Sequence, residues 1–138
     1  MTEPDEPLQV VQRLLDGVAT GSTPALADLY EADAVVELPF ARPGGLRLEG
    51  RAAIRDHFAR AAQARLTLLP VAVKLHQTLD PEVVIAEYDY EGRAIETGRS
   101  FVVSNVQIIR VRAGRIVASR DFHDHAVMSA AGRDSETS

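Results

Sequence analysis

The segment from Leu66 to the last predicted strand limits what this chain can fold into, because its apolar residues recur with the period of two that is typical of β-strands. The pattern predicts four strands, over residues 66–75 (bent around Pro70), 83–91, 99–112 and 115–124. Turn residues precede the second and the fourth of these strands. The second half of the chain is therefore predicted to be an antiparallel sheet.

The first half of the chain is mainly helical in pattern. Apolar residues at helical spacing predict a helix that begins at Pro7, a short helix from Pro24 and a third helix over residues 51–65. Residues 33–41 predict the first strand, in which Pro39 indicates an edge position or a bulge. Together the two halves predict an α+β fold, with helices gathered on one side of a curved sheet.

A long curved sheet closed by helices forms a cone with a mouth, which suits a small apolar ligand. The chain of 138 residues fits one domain, 1–138, with a core at about 8–128 and flexible termini. We expect the ligand to bind inside this cone.

Composition excludes several classes of function. The net charge of -5 argues against nucleic acid and against an anionic membrane surface as partners. The absence of cysteine excludes a disulfide framework, a zinc ribbon and a thiol nucleophile. The first seven residues lack the basic and apolar regions of a signal peptide, and no apolar run is long enough to span a bilayer. We therefore expect a soluble, cytoplasmic protein.

The last predicted strand carries the most distinctive polar pattern. Because side chains alternate along a strand, one face would carry Val117, Ser119, Asp121, His123 and His125. If this row faces a cavity, it is a chemical centre; if it faces water, it is an ordinary polar surface. A carboxylate with two imidazoles could also bind zinc or iron, but alternate residues of one strand seldom complete a site, so no metal is predicted.

Other candidate residues come from the remaining strands and helices. Tyr88 and Tyr90 are predicted to point inward, because the opposite face of their strand carries three carboxylates. Asn105 and Gln107 are polar residues on a mostly apolar strand face, and His57 borders the apolar face of its helix. The apolar lining is predicted to include Val36, Leu38, Phe40, Phe58 and Val103.

Residues 29–36 (LYEADAVV), 48–54 (LEGRAAI), 114–116 (GRI) and 120–122 (RDF) carry a family resemblance. With them, the chain resembles the SnoaL-like group of the nuclear transport factor two-like superfamily, which also contains ketosteroid isomerases and limonene epoxide hydrolases. The resemblance covers about residues 8 to 128. It implies a conical α+β barrel of cystatin-like type, in which a mixed or antiparallel sheet wraps around N-terminal helices. It also implies an apolar interior and a homodimer formed through the sheet.

The resemblance also implies roles for single residues. Polyketide cyclases of SnoaL type and limonene epoxide hydrolases have their catalytic aspartate where this chain has Asp121, and the polar partners resemble Asn105 and Gln107, although a histidine is usual at the latter. The epoxide hydrolases need an Arg-x-Asp pair that would fall on Tyr88 and Tyr90, so their triad is incomplete here. Ketosteroid isomerases carry their base where this chain has Leu38.

These residues favour cofactor-independent acid/base chemistry. In an apolar cone, burial would raise the pKa of Asp121 toward that of a general acid or base. Asn105 and Gln107 could orient it or stabilise an oxyanion, and Tyr88 and Tyr90 could donate to a ligand carbonyl. The sequence thus predicts an isomerase or cyclase acting on an apolar carbonyl compound. The alternatives are a non-catalytic module that binds a ligand or a partner, and an epoxide hydrolase-like activity.

Overall fold

A computed structural model describes residues 5–21, 24–127 and 130. Along the chain, its elements are helix α1 (Pro7–Thr20), a 3₁₀ helix (Pro24–Leu29), strands β1 (Tyr30–Leu38) and β2 (Leu46–Glu49), helix α2 (Arg51–Ala62), and strands β3 (Leu66–Gln77), β4 (Val83–Ala94), β5 (Ser100–Arg112) and β6 (Arg115–His123). Among these described residues, no helix is both long enough and apolar enough to cross a membrane.

The six strands form one mixed sheet in the order β2-β1-β6-β5-β4-β3. Strands β1 and β6 pair in parallel, and every other neighbouring pair is antiparallel. Helix α1 packs against β3, β4 and β5, and α2 packs against β1 and β2. We call the sheet face toward these helices the inner face and the opposite one the outer face. The predicted α+β fold with a curved sheet is confirmed.

Helix α1 supplies much of the core that closes the inner face. Pro7 opens it, a capping box between Glu6 and Gln9 satisfies its first turn, and Gly21 ends it with a φ of 78°. Its buried side chains are Val10, Val11, Leu14 and Leu15. Each such side chain contributes roughly 1.5–3 kcal/mol when it is fully buried. Helix α1 therefore stabilises the packing that closes the inner face of the sheet.

The first strand differs from its prediction. It begins at Tyr30 and ends at Leu38, so that Pro39 lies after the strand and not at an edge or bulge within it. The turn at Gly44 and Gly45, both with positive φ, folds residues 46–49 back onto β1 as the unpredicted strand β2. Strand β1 therefore lies inside the sheet, between β2 and β6.

A bulge changes the predicted face of the last strand. Ile116 pairs with Val111, but Ala118 already pairs with Arg110, so β6 carries one extra residue at this point. As a result Ile116 is fully buried and Val117 is only partly buried. The inward row of β6 therefore runs through Ile116, then Ser119 and Asp121, and not through Val117.

Gly17 of α1 leaves little room for a side chain, because an added Cβ would overlap Cδ2 of the buried Leu26. We expect Gly17→Ala to lower the free energy of unfolding by about 1–3 kcal/mol through overpacking, although alanine favours a helix. Urea unfolding would measure this loss. Combining Gly17→Ala with Leu26→Val should recover part of it, and a Gly17→Ala protein more stable than wild type would contradict the prediction.

Candidate active site

A cavity of about 260 Å³ lies between the helices and the inner face of the sheet. Its lining is mostly apolar, from Leu14, Leu15, Val18, Tyr30, Val36, Leu38, Leu48, Ile54, Phe58, Ala61 and Leu68. The polar side chains in its wall are His57, Tyr88, Tyr90, Gln107, Asp121, His123 and His125. The cavity thus brings together nine of the residues predicted from the sequence: Val36, Leu38, His57, Phe58, Tyr88, Tyr90, Gln107, Asp121 and His123.

Asp121 is the buried carboxylate of this cavity, with only 7% of its surface exposed. Its sheet partner across β5 and β6 is Gln107, and its Oδ1 accepts a hydrogen bond from the hydroxyl of Ser119. Burial raises the pKa of Asp121, while the hydrogen bonds from Ser119 and Gln107 and the nearby His57 and His125 hold that pKa lower than burial alone would. The carboxylate is therefore a stronger base than an exposed aspartate.

A directed chain of hydrogen bonds leads to Asp121 from β4. The Tyr88 hydroxyl donates to Oε1 of Gln107 at 2.8 Å, and that oxygen can only accept. Since Tyr88 has one hydroxyl proton, Tyr90 must be the donor in the 3.4 Å contact between the two hydroxyls. Burial raises the pKa of Tyr90 to about 12 and that of Tyr88 well above its usual value, so both stay protonated.

The Tyr88 hydroxyl, which was expected to donate to a ligand carbonyl, donates to Gln107 in this structure. The contact from Tyr90 is long and correspondingly weak, so the Tyr90 proton is more readily given to a ligand. Gln107 is the sheet partner of Asp121 and holds the pKa of that carboxyl lower than burial alone would.

Asn105 was expected beside Asp121, but it does not line the cavity. It lies one inward-facing position away from Gln107 along β5, opposite His123, and its Oδ1 is 2.6 Å from Nδ1 of His123. The His123 ring stacks on Tyr90 at a centroid distance of 6.4 Å. Burial, with smaller contributions from His125 and His57, lowers the pKa of His123 to about 4, so this imidazole is neutral at pH 7.

His57 and His125 complete the titratable groups around the carboxylate. Burial lowers the pKa of both, although Asp121 opposes the shift in each case. Nε2 of His125 is buried and has no hydrogen-bond partner within the part of the chain that the structure describes. Among residues 5–21, 24–127 and 130, no group of three or more His, Cys, Asp or Glu side chains is placed to hold a metal ion.

Two residues that were predicted to line the cavity lie elsewhere. Phe40 follows the end of β1, is 63% exposed and packs edge-on against Phe122 at a centroid distance of 5.3 Å. Val103 faces inward and is buried in the core, but it pairs with Tyr90 beyond the end of β6 and does not line the cavity.

Sequence reasoning missed Tyr30 and gave Ser119 no role. Tyr30 is 2% exposed and lines the cavity, and both its burial and the nearby Asp121 raise its pKa. Arg51 at the start of α2 donates to the Tyr30 carbonyl at 2.8 Å and ties the helix to this strand. The first strand was predicted to begin at residue 33, so Tyr30 was not expected on the sheet. For Ser119, its place two residues before Asp121 on one strand face was the available signal.

The comparison with known proteins agrees with this architecture. The sequence pattern of the SnoaL-like domain matches residues 11–119. The chain belongs to the SnoaL-like domain family. An uncharacterised PhzA/B-like protein of Pseudomonas aeruginosa is 33% identical over 111 residues, which cover 80% of this chain and 76% of that protein. The resemblance inferred from the sequence is confirmed.

Solved structures also match this SnoaL-like protein. A protein named "Putative Isomerase from Bacillus subtilis" superposes with a TM-score of 0.81 at 29% identity, covering 91% of both chains. A Catenulispora acidiphila protein described as having a ketosteroid isomerase-like fold gives a TM-score of 0.71 at 20% identity, covering 96% of this chain and 95% of the other. The second likeness shows the fold alone.

Proposed function

We propose that this SnoaL-like protein is a cofactor-independent enzyme in which Asp121 moves a proton next to a carbonyl group, as an isomerase or a cyclase does. The observation that carries the proposal is a carboxylate of raised pKa buried in the wall of a mostly apolar cavity. The name of the Bacillus subtilis relative supports the isomerase reading.

The reaction would begin when the Asp121 carboxylate takes a proton from the carbon beside the ligand carbonyl. The negative charge moves to the carbonyl oxygen, where the hydroxyl of Tyr30 or Tyr90 can donate to it. An isomerase would return the same proton at another carbon. A cyclase would let the enolate carbon bond to a second carbonyl carbon, whose oxygen then receives the proton from Asp121.

The size of the cavity limits the ligand. At about 260 Å³ it lies below the roughly 300–1,000 Å³ of sites for drug-sized molecules. It is larger than the cavity of about 150 Å³ that takes up benzene. A ligand of one or two rings therefore fits the proposal best, and small bicyclic ketones are suitable probes.

Proton–deuterium exchange tests the proposal without knowledge of the natural substrate. The protein would be incubated in deuterated water with a panel of one- and two-ring ketones, and ¹H NMR would follow loss of the signal beside the carbonyl. We expect wild-type protein to accelerate exchange for at least one ketone, and Asp121→Asn to remove the acceleration. Exchange by Asp121→Asn at the wild-type rate would reject Asp121 as the base.

A ligand-binding module without catalysis is the second candidate. The observation in its favour is that Ser119 already donates a hydrogen bond to Asp121, as it would to a carboxylate with a purely structural role. This candidate predicts that ketones stabilise the protein against heat but that no ketone exchanges faster. The same panel therefore separates the two functions.

We also propose that the protein is a homodimer formed through the outer face of the sheet. This face carries a groove lined by Phe40, Val106 and Phe122 together with Lys74 and Glu87, whose opposite charges can pair between two copies. We expect light scattering to give twice the 15.0 kDa chain mass for wild type, and about one chain mass for Val106→Asp. Leu79→Asp, at a fully exposed turn, is the control and should stay dimeric. A monomeric wild type would reject the dimer.

A further inference from the structure

The contact between Asn105 and His123 fixes which ring nitrogen of His123 carries the proton. The amide nitrogen of Asn105 donates to the Val103 carbonyl at 3.2 Å, and that carbonyl can only accept. The amide oxygen of Asn105 therefore faces His123, 2.6 Å from Nδ1. Because an amide oxygen only accepts, Nδ1 must donate the proton.

A neutral imidazole carries one proton, so Nε2 of His123 is left with a free lone pair. His123 lines both the cavity and the groove in which Asn105 also takes part, so a ligand in the cavity lies beside the ring whose Nδ1 is already bonded to Asn105. Within the described part of the chain, Nε2 of the neighbouring His125 has no hydrogen-bond partner, so it does not use this lone pair. Titratable neighbours of His123 include Tyr90, which stacks on it, His57, which acts to lower its pKa, and Asp121, which lines the same cavity.

We infer that His123 is a fixed hydrogen-bond acceptor that selects ligands carrying a hydroxyl group, and that Asn105 is the positioning residue that keeps it in this form. The inference deepens the proposed function and rests on it for the carbonyl part of the ligand. His123 lies two residues after Asp121 on the strand, about 7 Å along it. The substrate class is therefore a hydroxylated cyclic ketone, with its hydroxyl a few bonds from the carbon that loses the proton.

The selection follows from what a ligand without a donor would do. Such a ligand would remove water from His123 and leave its buried lone pair unpaired, whereas a hydroxyl group would replace the lost hydrogen bond. The preorganised ring makes this difference larger, because Asn105 and the stacked Tyr90 prevent it from turning away. His123 thus determines which ligands bind, while Asp121 transfers the proton.

The first test needs no ligand. Long-range ¹H–¹⁵N correlation spectra of uniformly ¹⁵N-labelled protein at pH 7 report the protonation of each ring nitrogen, with His123→Gln used to assign the signals. We expect Nδ1 protonated and Nε2 unprotonated in wild type. Asn105→Asp, which keeps an acceptor, should preserve this form, and Asn105→Leu should shift the ring toward Nε2 protonation. A proton on Nε2 in wild type would overturn the inference.

The second test compares matched ligands by calorimetry: 1-tetralone with its 5-, 6- and 7-hydroxy and methoxy derivatives. We expect at least one hydroxytetralone to bind wild type about fivefold or more tightly than 1-tetralone, its methoxy analogue to show no gain, and His123→Phe to lose the preference. No gain for any hydroxytetralone, no binding of any tetralone, or a gain that survives in His123→Phe would overturn hydroxyl selection.

The two proposals fail in different ways. Asp121→Asn keeps His123 and Asn105, so it should retain the preference for the hydroxyl group while it loses proton exchange. Exchange at an undiminished rate in Asp121→Asn, together with a preference that depends on His123, would reject the proposed base and support the acceptor. Exchange that depends on Asp121, without any preference for a hydroxyl group, would support the proposed base and reject the acceptor.

Discussion

Replacement of Asp121 by asparagine is expected to slow proton exchange beside a ligand carbonyl by about 10²–10⁴-fold, which is the usual contribution of a positioned general base. The amide has nearly the shape of the carboxylate, so the cavity should keep its form, but the amide cannot accept a proton at neutral pH. Its oxygen can still accept the hydrogen bond from Ser119. The loss should therefore appear mainly in the rate of exchange and less in ligand affinity.

The matched control for this prediction is Asp89→Asn. Asp89 lies on β4 among the residues that line the outer groove and not the cavity. Both variants remove one carboxylate, so a general effect of charge would appear in both. We expect the Asp89 variant to exchange at the wild-type rate, with urea unfolding to show that both variants are folded. A tenfold or smaller loss in Asp121→Asn would leave the base unidentified.

The elements that could be predicted from the sequence are those whose signal is local. The strands from Leu66 onward follow a period of two. Because side chains alternate along a strand, Asp121 shares its face with Ser119, two residues earlier. The placement of Asp121 in a cavity depended on the family resemblance, because composition alone allowed either face of β6 to point inward.

The structural predictions that were wrong share one cause, which is that they depend on pairing between strands far apart in the sequence. Strand β2 has only four residues and lies at the edge of the described sheet beside β1, so its sequence carries little signal of its own. Phe40 continues the apolar alternation of β1, but the strand ends two residues earlier and the chain turns at Pro39. The bulge in β6 shifts Val117 out of the predicted row. Such shifts depend on the partner strand and cannot be read from one strand's pattern.

The fixed proton of His123 also depends on a partner strand. Asn105 and His123 are 18 positions apart and meet only through the register of β5 and β6. The sequence indicated that both residues are polar members of inward faces, but not that one would bind the other. As a consequence Asn105, expected to act on Asp121, acts on the imidazole at the next inward position.

The buried imidazole of His123 should make the fold sensitive to mild acid. Its pKa in the folded protein is about 4, below the value of about 6.5 of an exposed histidine. Between these values the unfolded chain binds a proton that the folded chain does not, so stability is present above pH 6.5 and is lost as the pH falls toward 4. For this one group, the loss between pH 7 and pH 4.5 amounts to about 2 kcal/mol.

Neighbouring titratable groups also contribute to the pH dependence of the free energy of unfolding. His57 and His125 have lowered pKa values and add to the acid sensitivity in the same direction. Asp121 opposes it, because its raised pKa makes the folded protein bind a proton more readily than the unfolded chain does. The total pH dependence of stability therefore contains contributions of both signs, and the contribution of His123 is isolated by comparing wild type with His123→Gln.

Urea unfolding at pH 7 and at pH 4.5 measures this loss. We expect the difference between the two pH values to be smaller by about 2 kcal/mol in His123→Gln than in wild type, because the neutral amide cannot be protonated in either state. His76→Gln, which removes a half-exposed imidazole from a hydrogen bond with Glu87, is the control for the loss of a surface histidine. Equal differences in wild type and His123→Gln would mean that the buried ring is protonated as easily in the folded protein as in the unfolded chain.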